Sequence, residues 1–160
     1  MDDASTLLLV EDNEDDVFIF RRAYQQAQLT CGVQVAADGQ AACDYLFGTG
    51  RYTDHAQFPR PFLVLLDLKL PLRHGFEVLQ AVRSAPNLAD VAVVILTSSA
   101  ESRDIQRARE LGACAFFVKP PTPRLLADVV TAVRRRRANP QVAPASVAGD
   151  LLRPRPSPVV

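Results

Sequence analysis

The chain has 160 residues, 48% hydrophobic and 22% charged, values typical of one globular domain with a substantial core. Lys plus Arg equals Asp plus Glu, at 18 each, so no net field draws the chain to nucleic acid or to an anionic membrane. We expect a reduced, cytoplasmic setting, because no segment resembles a signal peptide or a membrane span and the three cysteines form no CxxC pair.

Five short apolar runs predict five strands. Their apolarity is continuous rather than alternating, which indicates burial on both faces, as in a parallel sheet covered by helices. The second run is interrupted by Gln34 and is predicted to be an edge strand. The runs span residues 7–10, 33–36, 62–66, 91–96 and 115–118.

Helical patterns follow each of these runs. Thr122 can cap the last helix and Pro123 suits its first position, while Gly112 ends the fourth. Alternating strands and helices predict a doubly wound α/β sandwich with right-handed crossovers. The apolar helix faces carry Val17, Phe20 and Tyr24; Ala42, Tyr45 and Leu46; Phe76, Leu79 and Val82; Ile105, Ala108 and Leu111; and Leu125, Leu126, Val129, Val130 and Val133.

Composition changes near residue 138. Five of the twelve prolines fall in the last 23 residues, so we expect a domain over residues 5–137 and a flexible or extended tail over residues 138–160. The arginine run 134–137 favours a solvated helix end over a nucleic-acid patch, because no aromatic side chains are interleaved to stack on bases.

Chemistry-bearing side chains follow four of the predicted strands at the point where each strand ends. Glu11 and Asp12 follow the first, Asp67 the third, Thr97 the fourth and Lys119 the fifth. Ligands of such sheets bind at the carboxyl ends of the strands. Two carboxylates ~4 Å apart repel by about 4 kcal/mol at an effective dielectric near 20, so three of them require a cation or raised pKa values.

The oxygen-rich donor set favours Mg²⁺, with Mn²⁺ as a substitute. We expect Asp12 and Asp67 to be direct ligands and Glu11 to act through water. The backbone carbonyl of Lys69 would complete the shell. The acids at 14–16 are interpreted instead as first-turn helix residues, which complement the helix dipole behind a cap at Asn13.

Asp67 is the predicted phosphoryl acceptor. A carboxylate can attack a phosphoryl group and form an acyl phosphate. The metal and Lys119 would neutralise charge on the phosphoryl oxygens, and Thr97 would hydrogen-bond to the phosphate afterwards.

Four segments together resemble one family. "LLLVEDNEDD", "VLLDLKLPLRHG", "VVILTSSA" and "FFVKPP" are similar to the acidic pair, acceptor aspartate, switch threonine and Lys-Pro motifs of response-regulator receiver domains. The resemblance covers about residues 5–137 and implies a flavodoxin-like (βα)5 sandwich with sheet order 2-1-3-4-5. It also implies a cis Lys119–Pro120 bond, phosphoryl transfer from a sensor histidine kinase, and a switch in which Thr97 moves toward the phosphate and Phe116 follows it inward.

Within the family, "EDNEDDVFIFRRA" and "GTGRYTDHAQFPRP" resemble the single-domain regulators that partner phytochromes. This resemblance implies a bacteriophytochrome as the kinase and a homodimer through helix four, strand five and helix five. We therefore expect a phosphoprotein that signals through protein contacts, not an enzyme beyond its own phosphotransfer and slow dephosphorylation.

Three other functions fit the same pattern less well. An aspartyl phosphatase needs a second aspartate two residues after its nucleophile, where this chain has Lys69. A flavin carrier needs a first loop that accepts a phosphate, and "EDNEDD" would repel one. A pseudo-receiver, which binds partners without phosphorylation, stays open as the alternative.

Overall fold

The computed structural model describes residues 5–98 and 101–139, which form five strands alternating with five helices. The strands are β1 Thr6–Val10, β2 Gly32–Ala36, β3 Pro61–Leu66, β4 Ala92–Thr97 and β5 Ala115–Val118. The helices are α1 Glu14–Gln26, α2 Gly39–Phe47, α3 Gly75–Ser84, α4 Ser102–Glu110 and α5 Pro123–Ala138. The predicted tail stays a prediction, because residues 140–160 lie outside the described ranges.

All strand pairs are parallel, and the sheet order is β2-β1-β3-β4-β5. The predicted fold class and strand order are therefore confirmed. As expected, β2, which contains Gln34, is an outermost strand of the sheet. In register, Val10 at the end of β1 lies opposite both Ala36 and Leu66. The central strands thus end at the same level, and the residues after them share one edge of the sheet, here called the carboxyl edge.

Helices cover both faces of the sheet, as the continuous apolar runs predict. One apolar layer joins the sheet to α1 and α5, with Phe20 and Val129 fully buried in it. The other joins the sheet to α2, α3 and α4, with Leu79 and Ala108 fully buried. Within the described ranges, no helix has both the length and the apolarity needed to cross a bilayer.

Local signals in the sequence place the helix starts. Thr122 accepts a hydrogen bond from the Leu125 amide at 3.1 Å, and Asn13 accepts one from the Asp16 amide at 3.0 Å. Both predicted caps are confirmed. The fifth strand has the predicted bounds, and the bounds of the other four differ from the prediction by one residue. The third strand begins at Pro61, where a proline is tolerated because the first residue of a strand can lack an N–H donor.

Gly75 brings the start of α3 directly against the backbone of Asp67. A Cβ atom at Gly75 would lie 2.3 Å from the Asp67 carbonyl oxygen, so any larger residue would displace one of the two segments. The Gly75 amide also donates to the Leu68 carbonyl at 2.8 Å. The backbone of the acceptor residue is thereby held against a rigid helix end.

The long connection between α2 and β3 is fixed by an aromatic cluster. Tyr45, Tyr52 and Phe58 lie with ring centroids 4.9–5.9 Å apart. The Tyr45 hydroxyl donates to the Pro59 carbonyl at 2.7 Å. Burial, with a smaller effect from Tyr52, raises the pKa of Tyr45 to about 12.

The opposite edge of the sheet is held by Arg83, at the end of α3. Its Nε donates to the Gly112 carbonyl at 2.9 Å and its Nη1 to the Val91 carbonyl at 2.8 Å. This one side chain ties α3 to the starts of β4 and β5. Near it, Arg136 of α5 places Nη1 3.4 Å from the Cys114 sulfur, so α5 ends beside the start of β5.

Candidate functional site

Backbone hydrogen bonds continue past the strand ends and fix the residues of the carboxyl edge. The Glu11 amide donates to the Ala36 carbonyl at 3.0 Å, and the Asp67 amide to the Val10 carbonyl at 3.1 Å. The Lys119 amide donates to the carbonyl of Thr97 at 2.7 Å. Each side chain therefore starts from a rigid point, so the site is preorganised by the sheet.

Lys119 lies at the centre of this edge. Its ammonium Nζ is 2.8 Å from Oδ2 of Asp67 and 2.9 Å from Oδ2 of Asp16, and it also donates to Oε2 of Glu11. An ammonium carries three N–H donors, so each of these carboxylates can receive one. The structure thus brings together Lys119, Asp67 and Glu11 as the sequence predicts.

The cluster is largely withdrawn from water. Glu11 is 4% exposed and Asp67 7%, which removes much of the hydration that a carboxylate normally has. Burial raises the pKa of Glu11 and the nearby Asp67 charge adds to the effect, while hydrogen bonds from Lys119 and the Asn13 amide oppose it. Pairing with the lysine thus offsets only part of the free-energy cost of burying the Glu11 charge.

Burial by itself lowers the pKa of Lys119, because it disfavours the ammonium. Hydrogen bonds with Asp67, Glu11 and Asp16 act more strongly in the other direction, so the pKa of Lys119 is raised overall. The lysine is therefore a permanent cation among carboxylates.

Three carboxylates are close enough to share one cation. One oxygen each of Glu11, Asp12 and Asp67 can be chosen so that all three lie within 4.8 Å of one another. Asp12 is exposed, so the group opens to water on one side. Hard oxygen donors with access to water fit Mg²⁺ or Mn²⁺. Lys69 is exposed on the adjoining loop, and the role of its carbonyl stays a prediction.

Thr97 and Phe116 are both buried. Thr97 is 1% exposed at the end of β4, and Phe116 is 8% exposed in β5, within the apolar layer that includes Ala108 of α4. Phe116 thus occupies an inward position, while its switching role stays a prediction. The Lys119–Pro120 bond is cis, as the resemblance implies.

Asp16 is the contact that sequence reasoning missed. Its predicted place in the first turn of α1 is correct, but its side chain also reaches Lys119. The spacing gives no signal for this contact, because Asp12 precedes the Asn13 cap and lies outside α1, so the helical rule for residues four apart does not apply to Asp12 and Asp16.

Known proteins resemble this chain over most of its length. It matches the response regulator receiver domain family over residues 7–131. The response regulator Rcp1 of Synechocystis is 34% identical over 113 residues, which cover 71% of this chain and 75% of that protein.

Two solved structures extend the comparison. The bacteriophytochrome response regulator AtBRR is 43% identical, with a TM-score of 0.70 over 79% of this chain and 90% of that one. The Mn²⁺-bound form of Rcp1 is 29% identical, with a TM-score of 0.67 over 87% of this chain and 96% of that one.

Proposed function

We propose that this chain, which belongs to the response regulator receiver domain family, accepts a phosphoryl group on Asp67 and thereby changes its protein contacts. The observation that carries the proposal is the contact of Asp67 with Lys119 at 2.8 Å, beside the carboxylate group of Glu11 and Asp12. Nucleophile, counter-charge and metal ligands are thus assembled on one rigid edge.

The chemical step is a transfer between two side chains. Lys119 holds one oxygen of Asp67, which leaves the other oxygen to attack the phosphorus of a phosphohistidine. The O–P bond forms as the P–N bond breaks, and the leaving imidazole keeps the bonding electron pair and takes up a proton from water. Lys119 then donates to the phosphoryl oxygens, where negative charge has gathered.

Glu11, Asp12 and Asp67 are the side chains that would hold Mg²⁺, with the Lys69 carbonyl as a further ligand. When bound, the ion supplies positive charge that stabilises the phosphoryl oxygens during transfer. Lys119, whose Nζ lies 2.8 Å from Oδ2 of Asp67, supplies a second positive charge.

Phosphorylation changes the surface through which this chain contacts other proteins. Thr97 turns toward the phosphoryl group, and Phe116 moves into the space that it leaves. Thr97 ends β4 and Phe116 lies in β5, so this change would reach the surface next to α4 and β5. The proposal includes a homodimer through α4, β5 and α5, as the resemblance to the single-domain regulators that partner phytochromes implies.

The donor in this proposal is a sensor histidine kinase of the bacteriophytochrome type, in the cytoplasm. Support comes from the likeness to AtBRR, which is a bacteriophytochrome response regulator. The chain acts as a phosphoprotein, and its only reactions are its own phosphorylation and dephosphorylation.

Intact mass tests the proposal directly. The protein is incubated with acetyl phosphate and Mg²⁺, with Asp67→Asn and added EDTA as controls. We expect one added phosphoryl group on the wild type and none in either control.

A rapidly hydrolysed adduct would escape detection, so beryllofluoride is added as a stable mimic and the dimer fraction is measured. No mass adduct and no change in dimer fraction would contradict the proposal. A binding module without phosphorylation would then be the better account.

A further inference from the structure

Asp16 is the one partner of Lys119 that the phosphorylation site does not otherwise use. Its Oδ2 lies 2.9 Å from the Lys119 ammonium, and its side chain is 36% exposed where that of Lys119 is 10% exposed. It lies in the first turn of α1. It does not belong to the three carboxylates that can share a cation.

The other two partners of Lys119 could also bind a metal ion. Glu11 and Asp67 both belong to the carboxylate group that fits a metal, so a bound cation would draw on the same oxygens as the lysine. Phosphorylation converts the Asp67 carboxylate into an acyl phosphate, so Lys119 must move its hydrogen bond from Oδ2 of Asp67 to the phosphoryl oxygens. Of the three partners of Lys119, Asp16 is the one whose carboxylate is neither part of the cation-binding group nor converted by the reaction.

We infer that Asp16 is a positioning residue, which keeps the Lys119 ammonium at the carboxyl edge while its other two partners are engaged. The inference rests on the proposed phosphoryl transfer and adds a residue to it. Without Asp16, the long lysine side chain would sample other rotamers at the moment when its charge is needed. With Asp16, the ammonium is already beside the group that receives the phosphoryl.

Asp15 provides a matched control. It precedes Asp16 in the same helical turn, carries the same charge and is exposed, yet it makes no hydrogen bond or ion pair within the described part of the chain. Asp15→Ala and Asp16→Ala therefore remove the same charge from the same helix end. A difference between them reports the contact with Lys119.

The first readout is the maximal rate of phosphorylation by acetyl phosphate at saturating Mg²⁺. We expect Asp16→Ala to lower it about fivefold relative to Asp15→Ala, the size of effect that a partly exposed ion pair supports. Asp16→Ala would overturn the inference if it reacted as fast as Asp15→Ala. A faster reaction would also overturn it, because Asp16 would then act only by repelling the anionic donor.

The second readout does not depend on phosphorylation. The nitrogen signal of the Lys119 ammonium is followed by NMR with Mg²⁺ present and absent. We expect Asp16→Ala to shift this signal under both conditions and Asp15→Ala to leave it in place. Equal spectra for the two variants would overturn the inference.

The two readouts separate the failure of each idea. A wild-type protein that takes no phosphoryl group refutes the proposed function, while the ammonium signal still decides whether Asp16 holds Lys119.

Discussion

At each end of the strands, one basic side chain bonds to several groups at once, but the partners of the two side chains differ. At the carboxyl edge, Lys119 contacts three carboxylates. At the opposite edge, Arg83 donates to the carbonyls of Val91 and Gly112. One cation is held by charges and the other by neutral backbone groups.

The contacts of Lys119 can be exchanged for others, whereas the contacts of Arg83 are permanent. A carboxylate that binds a lysine can also bind a metal ion, and phosphorylation of Asp67 moves the negative charge from its carboxylate to the phosphoryl oxygens. Backbone carbonyls have no such alternative, because they do not titrate and are fixed by the chain. We therefore expect the Lys119 cluster to respond to metal, and the Arg83 contacts to contribute only stability.

Removal of Lys119 should have the largest effect on stability. Lys119→Met leaves buried Glu11 and Asp67 without a counter-charge, and we expect a loss of about 3 kcal/mol in the free energy of unfolding. Urea denaturation without metal measures it. Mg²⁺ should restore part of the loss, because a cation again lies among the carboxylates. A variant as stable as the wild type would show that Lys119 does not stabilise the fold through these carboxylates.

Removal of Arg83 should have a smaller effect that metal does not repair. Arg83→Met deletes two hydrogen bonds to backbone carbonyls and a longer contact of Nη2 with the Cys114 sulfur, and we expect a loss of about 2 kcal/mol. Urea denaturation with and without Mg²⁺ should show the same effect of the metal on the stability of Arg83→Met as on that of the wild type. Phosphorylation of Arg83→Met by acetyl phosphate should proceed at the wild-type rate; a large decrease would mean that the two edges are coupled.

The smallest effect concerns a buried polar group that contacts neither cation. The pKa of Tyr45 is raised from 10 to about 12, so its neutral form contributes stability that is complete below pH 10 and lost as the pH rises toward 12. At pH 11 we expect the loss to be about 1 kcal/mol. Tyr45→Phe cannot ionise and should not show this decrease. If the free energy of unfolding fell equally for both proteins between pH 10 and 12, the prediction would be wrong. Deprotonation of lysine side chains would then explain the decrease.

Local features of the fold could be predicted from the sequence. The strands were recognisable because continuous apolar runs report burial on two faces, and the start of α5 because Thr122 and Pro123 suit particular positions. The edge position of β2 followed from a single polar residue, Gln34. Each of these signals lies within a few residues of the structure that it predicts.

The sequence predicts which residues end the strands at the site, but not all of the contacts between their side chains. Residues that follow parallel strands must share an edge, which placed Asp67 beside Lys119 and Glu11. The sequence could not show that Lys119 also reaches Asp16, because both a solvated helix start and a buried ion pair favour an acid at that position. Likewise, nothing local to Arg83 indicates that it bonds the carbonyls of Val91 and Gly112, which lie on other elements.

The parallel sheet also has a consequence for how the protein can be attached to other molecules. β1 begins, and α5 ends, at the edge away from the phosphorylation site, as the contact between Arg136 and Cys114 shows for α5. A label, a surface anchor or a fused domain joined beside either element would therefore leave Asp67 accessible. The protein could thus be immobilised on a surface through one edge of the sheet while phosphorylation is detected at the other edge.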